Sequence, residues 1–165
     1  MTMGYDADSL IAAFDGAYRY LSNFYVEDDG FTVEHRFQAA KATDPAQRRW
    51  VLSARTPHQA KRRGNQVALR EDWEQVKDSV MLDLVRAKFL PGSKLADWLM
   101  HTWPAELQEG NTWGDQYWGV SLTTGRGQNR LGEILMQVRE ELVEARIDEE
   151  ETYEALKAEE AEDDW

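Results

Sequence analysis

Glu34, Gln38 and Lys41 stand at positions i, i+4 and i+7, the spacing that sets side chains along one face of a helix. A carboxylate, an amide and an ammonium in one line suit a polar substrate; the alternative is a solvated face laced by a Glu–Lys ladder. A second concentration of chemistry runs from Glu109 to Gly119, where two carboxylates, three aromatics and three glycines fall within eleven residues. Glycine lets backbone turn sharply or approach a ligand closely. Trp113 and Trp118 offer flat faces on which a base can stack, worth roughly 1–3 kcal/mol per base. Glu109 and Asp115 can orient or deprotonate a water and can stabilise positive charge. The alternative is a loop whose aromatics only cover the core. A third stretch, Thr124–Gly125–Arg126–Gly127–Gln128–Asn129, runs into a helix start, where free backbone N–H groups can hold a phosphate and Arg126 or Arg130 can meet one. The basic cluster Lys61–Arg62–Arg63 with Arg70 has the same capacity, against the alternative of solvated helix surface.

The elements that must position these residues are mostly helical. Tyr18–Tyr25 alternates aromatic and polar residues and predicts a strand running into a turn. Thr32 caps a helix carrying Val33, Phe37 and Ala40 on its apolar stripe. Asp44, with Pro45 at the first helical position and Gln47 three after the cap, opens a second. Thr56–Pro57 with Gln59 opens a third, which stops at Gly64. Trp73 to Phe89 is the clearest amphipathic helix, with Trp73, Val76, Val80, Met81, Leu84 and Val85 recurring at three and four and Pro91–Gly92 ending it. A short helix spans Lys94 to Met100, and Trp103 to Gly127 reads as short strand plus long loop. Asn129 caps the last helix, whose stripe is Leu131, Ile134, Leu135, Val138 and Leu142.

At 165 residues with 42% hydrophobic side chains, the chain supports one domain with a real core and not two. No run approaches the roughly 18 apolar residues of a transmembrane helix. Met1 to Ser9 lack the basic start and apolar stretch of a signal peptide. There is no cysteine, which removes disulfides, thiolate chemistry and zinc–thiolate sites and fits a reducing cytoplasm. His35, His58 and His101 stand far apart without metal-ligand spacing, so no structural metal is expected, and hydrolysis by carboxylates and water calls for no cofactor. The formal charge of −12 is unevenly spread: 13 acids and two bases lie in Glu140–Trp165, leaving a net of −1 for residues 1–139. A nearly neutral body argues against general binding to a phosphate backbone, though not against a local pocket for one nucleotide's phosphates.

Taken in order, the motifs resemble those of the NADAR family. Leu21–Ser22–Asn23–Phe24 and Val33–Glu34–His35 with Phe37–Gln38–Ala39–Ala40–Lys41 open the resemblance. Thr56–Pro57, Ala60–Lys61, Leu69–Arg70 and Asp72–Trp73–Glu74 continue it, with Lys77, Met81 and Ala87–Lys88–Phe89. Glu109, Asp115, Tyr117–Trp118–Gly119, Asn129, Leu131–Gly132, Leu135–Met136 and Arg139 close it. It implies a compact, predominantly helical α+β domain over residues 14–145, with a small β element. Residues 1–13 form an N-terminal extension and 146–165 an acidic, helical tail. It also implies N-glycosidase activity on phosphorylated aminopyrimidine intermediates of riboflavin synthesis or on ADP-ribosylated guanine. Carried over by motif, Glu34 and Asp115 are the catalytic carboxylates and Trp73 and Trp118 belong to the active site. Lys41, Arg70 and Lys88 are substrate contacts by the same route, and Gln38, Glu109 and Asn129 join them as substrate-binding residues. The segment between Tyr25 and Glu34 is shorter than usual, and Asn65 follows Gly64 where many members have arginine. The Glu109–Asp115 interval resembles the branch of the family that acts on ADP-ribose.

The expected partner is therefore a small nucleotide or ADP-ribosylated base, with no membrane and no extended nucleic acid. Two other functions fit parts of the sequence. A module could bind ADP-ribose without cleaving it, although binding alone does not call for two acids beside an anionic ligand. The tail could instead recognise a basic partner, against the alternative that it is simply solvated.

Overall fold

The computed structural model describes residues 9–163. Residues 1–8 of the N-terminal extension lie outside that range, but its end joins the fold. Leu10–Ile11 (β1) pairs in parallel with Glu106–Leu107 (β2), and Ile11 sits in the core. Between β1 and the first helix, the segment expected as strand is a 3-10 turn, Gly16–Leu21. Its burial explains the difference. Consecutive Tyr20 and Leu21 are both buried while Tyr18 is exposed, a pattern no alternating strand produces. The Tyr20 hydroxyl donates to the Trp98 carbonyl at 3.0 Å.

Three short helices follow where local sequence starts them: α1 (Val33–Ala40), α2 (Pro45–Leu52) and α3 (Pro57–Gly64). Thr32 accepts from the His35 amide, Asp44 from Ala46 and Thr56 from Gln59, each cap stabilising its helix by about 1 kcal/mol. Gln47 does not reach back to its own cap. It accepts from the Ala68 amide at 2.9 Å and ties α2 to the chain beyond α3. His35 locks α1 in place: its Nε2 donates to the Ala54 carbonyl at 3.0 Å, leaving Nδ1 to accept from the Thr32 hydroxyl at 2.8 Å. A carbonyl can only accept, and that fixes the tautomer.

The long helix α4 (Trp73–Lys88) packs on α1 and on α6 (Arg130–Asp163), and α5 (Lys94–Met100) packs on α6. Of the stripe expected on α4, Trp73, Met81 and Val85 are buried; on α6 all five expected positions are. A fully buried Leu or Val contributes about 2 kcal/mol, so this shared core outweighs any single cap. Ala39, Val51, Ala54 and Ala60 form a second, smaller core where α1, α2 and α3 meet. Two more short strands, β3 (Gly110–Asn111) and β4 (Val120–Ser121), pair in parallel and bracket the glycine-rich loop. The α6 helix continues far past Leu142, its last buried position, and its side chains from Asp148 to Glu159 are exposed. No helix among the described residues is long and apolar enough to cross a membrane.

Asn129 precedes α6 as expected but does not cap it. Its backbone is left-handed (φ +54°). Its amide group donates to the Leu107 carbonyl at 2.8 Å while its oxygen accepts from the Glu109 amide at 3.0 Å. It is thus a clamp between the helix start and the strand region.

Candidate active site

A cavity of about 320 Å³ opens between α1, α3, α4 and the loop from Glu109 to Trp118. Glu34, Gln38 and Lys41 line it from α1, Trp73 from α4, and Glu109, Asp115 and Trp118 from the loop. Seven of the ten residues marked by sequence therefore meet in one place. A larger, open depression of about 840 Å³ lies between β1, the 3-10 turn and the end of α5. Among the described residues its only carboxylate is Asp15, so acid–base chemistry favours the smaller cavity.

The α1 face is no solvated ladder. Glu34 and Gln38 are 7% and 3% exposed, and the Gln38 Nε2 donates to Glu34 Oε1 at 2.7 Å. Burial pushes the Glu34 carboxyl above the usual range, against the Gln38 bond and the nearby charges of Lys61 and Lys41. Burial lowers the Lys41 ammonium, with Glu34 opposing. Gly64 makes this packing possible: a Cβ there would lie 2.1 Å from Gln38 Oε1.

The loop is built around Asn111, which is 1% exposed. Its amide donates to the Asp115 carbonyl at 2.7 Å, and its oxygen accepts from the Asp115 amide at 2.9 Å. One oxygen of Asp115 then accepts from Tyr117 and Trp118 amides at 3.0 and 2.9 Å, and Gly114 supplies the positive φ of the turn. Trp118 stands edge-on to Phe37 with ring centroids 5.3 Å apart, and Phe37 meets Trp73 at 5.0 Å. These rings, packed at an angle to one another, form an aromatic wall beside the acids.

Glu109 is held from behind. Its amide donates to Asn129 and its carbonyl accepts from Val120 at 2.9 Å. Oε2 is sealed from solvent and has no hydrogen-bond partner among the described residues. Burial, then the Asp115 charge, push its carboxyl up to about 7, with Lys88 opposing and Glu34 adding. Lys88 lies outside the cavity lining: its Nζ donates to the Ser22 carbonyl at 2.8 Å and supports the Ser22–Asn23–Phe24 turn that does line it. Burial lowers that ammonium to about 7.

Arg70 and Asn129 also lie outside the lining. Arg70 grips Asp72 with both arms of its guanidinium, at 2.6 and 2.9 Å. The start of α6 offers less to a phosphate than expected, because the amides of Arg130 and Leu131 donate to the Tyr117 and Trp118 carbonyls. Arg130 itself binds Asp78 at 2.8 Å. Of the basic cluster, Lys61 faces the cavity, while Arg63 is spent on the Trp50 carbonyl and the Ser53 hydroxyl. Sequence reasoning gave Glu74, Lys77 and Tyr117 no role in the lining and marked Asn65 only as a departure from the arginine of many relatives. Lys77 was findable, since it lies one turn beyond Trp73 on the same face of α4. Its Nζ sits 4.1 Å from the Tyr117 ring centre, and the Tyr117 hydroxyl donates to Asp78 at 2.6 Å.

The NADAR domain family profile matches residues 13–143 of this chain. The N-glycosidase YbiA of Escherichia coli (strain K12) is 42% identical over 113 residues, which cover 67% of this chain and 69% of that protein. A riboflavin biosynthesis protein of Vibrio vulnificus (strain YJ016) is 39% identical over 138 residues, 79% of this chain and 37% of that one. The NMR structure of the Escherichia coli protein YbiA superposes with a TM-score of 0.74 at 37% identity, covering 85% of this chain and 88% of that structure.

Proposed function

The chain belongs to the NADAR domain family, and from that premise we propose that it is an N-glycosidase hydrolysing the ribosyl C–N bond of a phosphorylated, nucleotide-like substrate. The observation that carries the reading is the convergence of Glu34, Glu109 and Asp115 on one cavity walled by Trp73, Phe37 and Trp118. Breaking a ribosyl C–N bond passes through an oxocarbenium-like state, with positive charge on the sugar and negative charge moving onto the base. Carboxylates stabilise that cation and take the proton of the attacking water, as in glycoside hydrolysis generally. Glu34 and Asp115 take these roles, one beside the sugar cation and its water, the other on the ribose hydroxyls. Trp73 and Trp118 stack on the base or shield the site from bulk water. Lys41 and Lys61 on the same lining provide the cationic side for the substrate's phosphate.

Both an aminopyrimidine riboside phosphate and ADP-ribosylated guanine present this chemistry. The names of the relatives support the former and the Glu109–Asp115 interval the latter. A binding module without catalysis is disfavoured, because four acids on the lining beside an anionic ligand weaken binding. The deciding test is to incubate the protein with ADP-ribosylated guanosine, a riboflavin-pathway ribosylaminopyrimidine phosphate and NAD, detecting released base by mass spectrometry. Release from one substrate, lost in Glu34→Gln and Asp115→Asn, is the expected result and selects the branch. Tight binding of ADP-ribose with no release from any of them overturns the reading in favour of the binding module.

A further inference from the structure

Four carboxylates line the cavity; Glu74 is exposed and paired with Lys77, and hydrogen bonds separate the other three, Glu34, Asp115 and Glu109. Asp115 accepts from two backbone amides and Glu34 from the Gln38 side-chain amide, so each already has a donor on a carboxylate oxygen. Glu109 Oε2 receives no such bond and is closed off from solvent. The residue is nevertheless fixed in place. Its amide and carbonyl are both bonded, and Gly119 packs so closely that a Cβ there would lie 2.1 Å from the Glu109 carbonyl oxygen. The carboxyl is half-buried, with one oxygen closed off and no donor to it among the described residues. That setting favours a proton held on it, for which the ligand supplies the acceptor.

We propose that Glu109, and neither Glu34 nor Asp115, is the catalytic acid that protonates the leaving base; the inference rests on the N-glycosidase reading. As the C–N bond breaks, its electron pair leaves on the base nitrogen, which takes the proton from the Glu109 carboxyl. Water adds to the sugar carbon and gives its proton to the Glu34 or Asp115 carboxylate. Release of that proton to solvent and uptake of one by Glu109 complete the cycle, so that one water is consumed. The charges facing Glu109 are Asp115 on its own loop, Glu34 on α1, Lys61 on α3 and Lys88 on α4. The two acids and burial favour the protonated form and the two lysines oppose it, leaving the group poised near neutrality. That is where a general acid works best at physiological pH.

The test compares pH–kcat profiles of the unmutated chain, Glu109→Gln and Glu109→Asp on two substrates. One carries the amino-substituted base that the protein cleaves. The other is a pyridinium riboside phosphate, whose base departs neutral and needs no proton. The unmutated chain should lose activity on the amino base as the pH rises above about 7. Glu109→Gln should lower kcat there by roughly 10²–10⁴ fold with little change in KM, while losing less than tenfold on the pyridinium substrate. Glu109→Asp should move the alkaline limb without abolishing it, which keeps the test decisive if the Gln variant folds poorly. Equal losses on both substrates, or an alkaline limb untouched by either substitution, would overturn the assignment. Absence of base release by the unmutated chain overturns the N-glycosidase reading itself, and this proposal with it.

Discussion

Glu34 and Glu109 are both raised by burial, yet only Glu34 is braced by a neighbouring donor, and the two should respond differently to amide replacement. Glu34→Gln keeps the size but removes the charge, and kcat is expected to fall about 10²–10⁴ fold; a loss of tenfold or less in steady-state assays sinks its catalytic role. Trp118→Ala should act mainly on KM if stacking is equal in the ground and transition states. Glu109 also carries a stability signature. An acid whose folded pKa is raised keeps its proton where the unfolded chain has given it up. Folding stability therefore declines as pH climbs from about 4.5 through about 7. Glu109→Gln removes that decline, so urea or thermal melts should find it more stable than the unmutated chain at pH 8, by on the order of 2 kcal/mol. At pH 5 the two should be nearly equal. A gain in stability paired with a loss of activity is what a buried functional carboxyl predicts; equal melts at both pH values would mean that the carboxyl ionises without penalty.

At the scale of elements, α1 is the part on which the site most depends, because Glu34 and Gln38 stand on its eight residues and Lys41 caps its end. Its start rests on Thr32, whose hydroxyl accepts from the His35 amide and pairs with the His35 ring. Thr32→Ala should cost about 1–2 kcal/mol in denaturant melts. Gly64→Ala attacks the same helix from α3. Its methyl group would collide with Gln38, so kcat should drop along with stability as Gln38 is pushed away from Glu34. On the opposite wall, Asp78 binds both Tyr117 and Arg130 and so tethers the loop carrying Asp115 and Trp118 to α4 and α6. These helices are legible in the sequence because a cap and its helix are neighbours in the chain. The Tyr18–Tyr25 segment is not, since what buries Tyr20 is α5, 78 residues away.

For the molecule as a whole, α6 divides into a packed first part and a solvated remainder. Truncation after Ala145 removes most of the net −11 carried by residues from Glu140 onward and breaks the exposed Arg146–Asp97 pair. Exposed pairs of this kind contribute about 0–1 kcal/mol. The truncated chain should therefore keep its base-release activity and melt within a few degrees of the full chain. Loss of activity would show that the domain does not end where its apolar stripe does.

The sequence alone determined what depends on near neighbours and periodicity: the caps at Thr32, Asp44 and Thr56, the apolar stripes of α4 and α6, and the uneven charge. The ordered motifs added the family and most residues of the cavity. Tertiary structure decided what each of those residues is free to do. Arg70, apt for phosphate in the sequence, is taken by Asp72, and Asn129 is spent on Leu107 and Glu109. Lys88 supports a turn from outside the cavity. Glu109, marked in the sequence as a loop carboxylate for substrate, has one oxygen shut from solvent and unpartnered among the described residues, in the field of charges from α1, α3, α4 and its own loop. The reason is physical: a residue's type fixes which bonds and charges it can carry, while desolvation and the choice of partner arise only when distant parts of the chain are brought together.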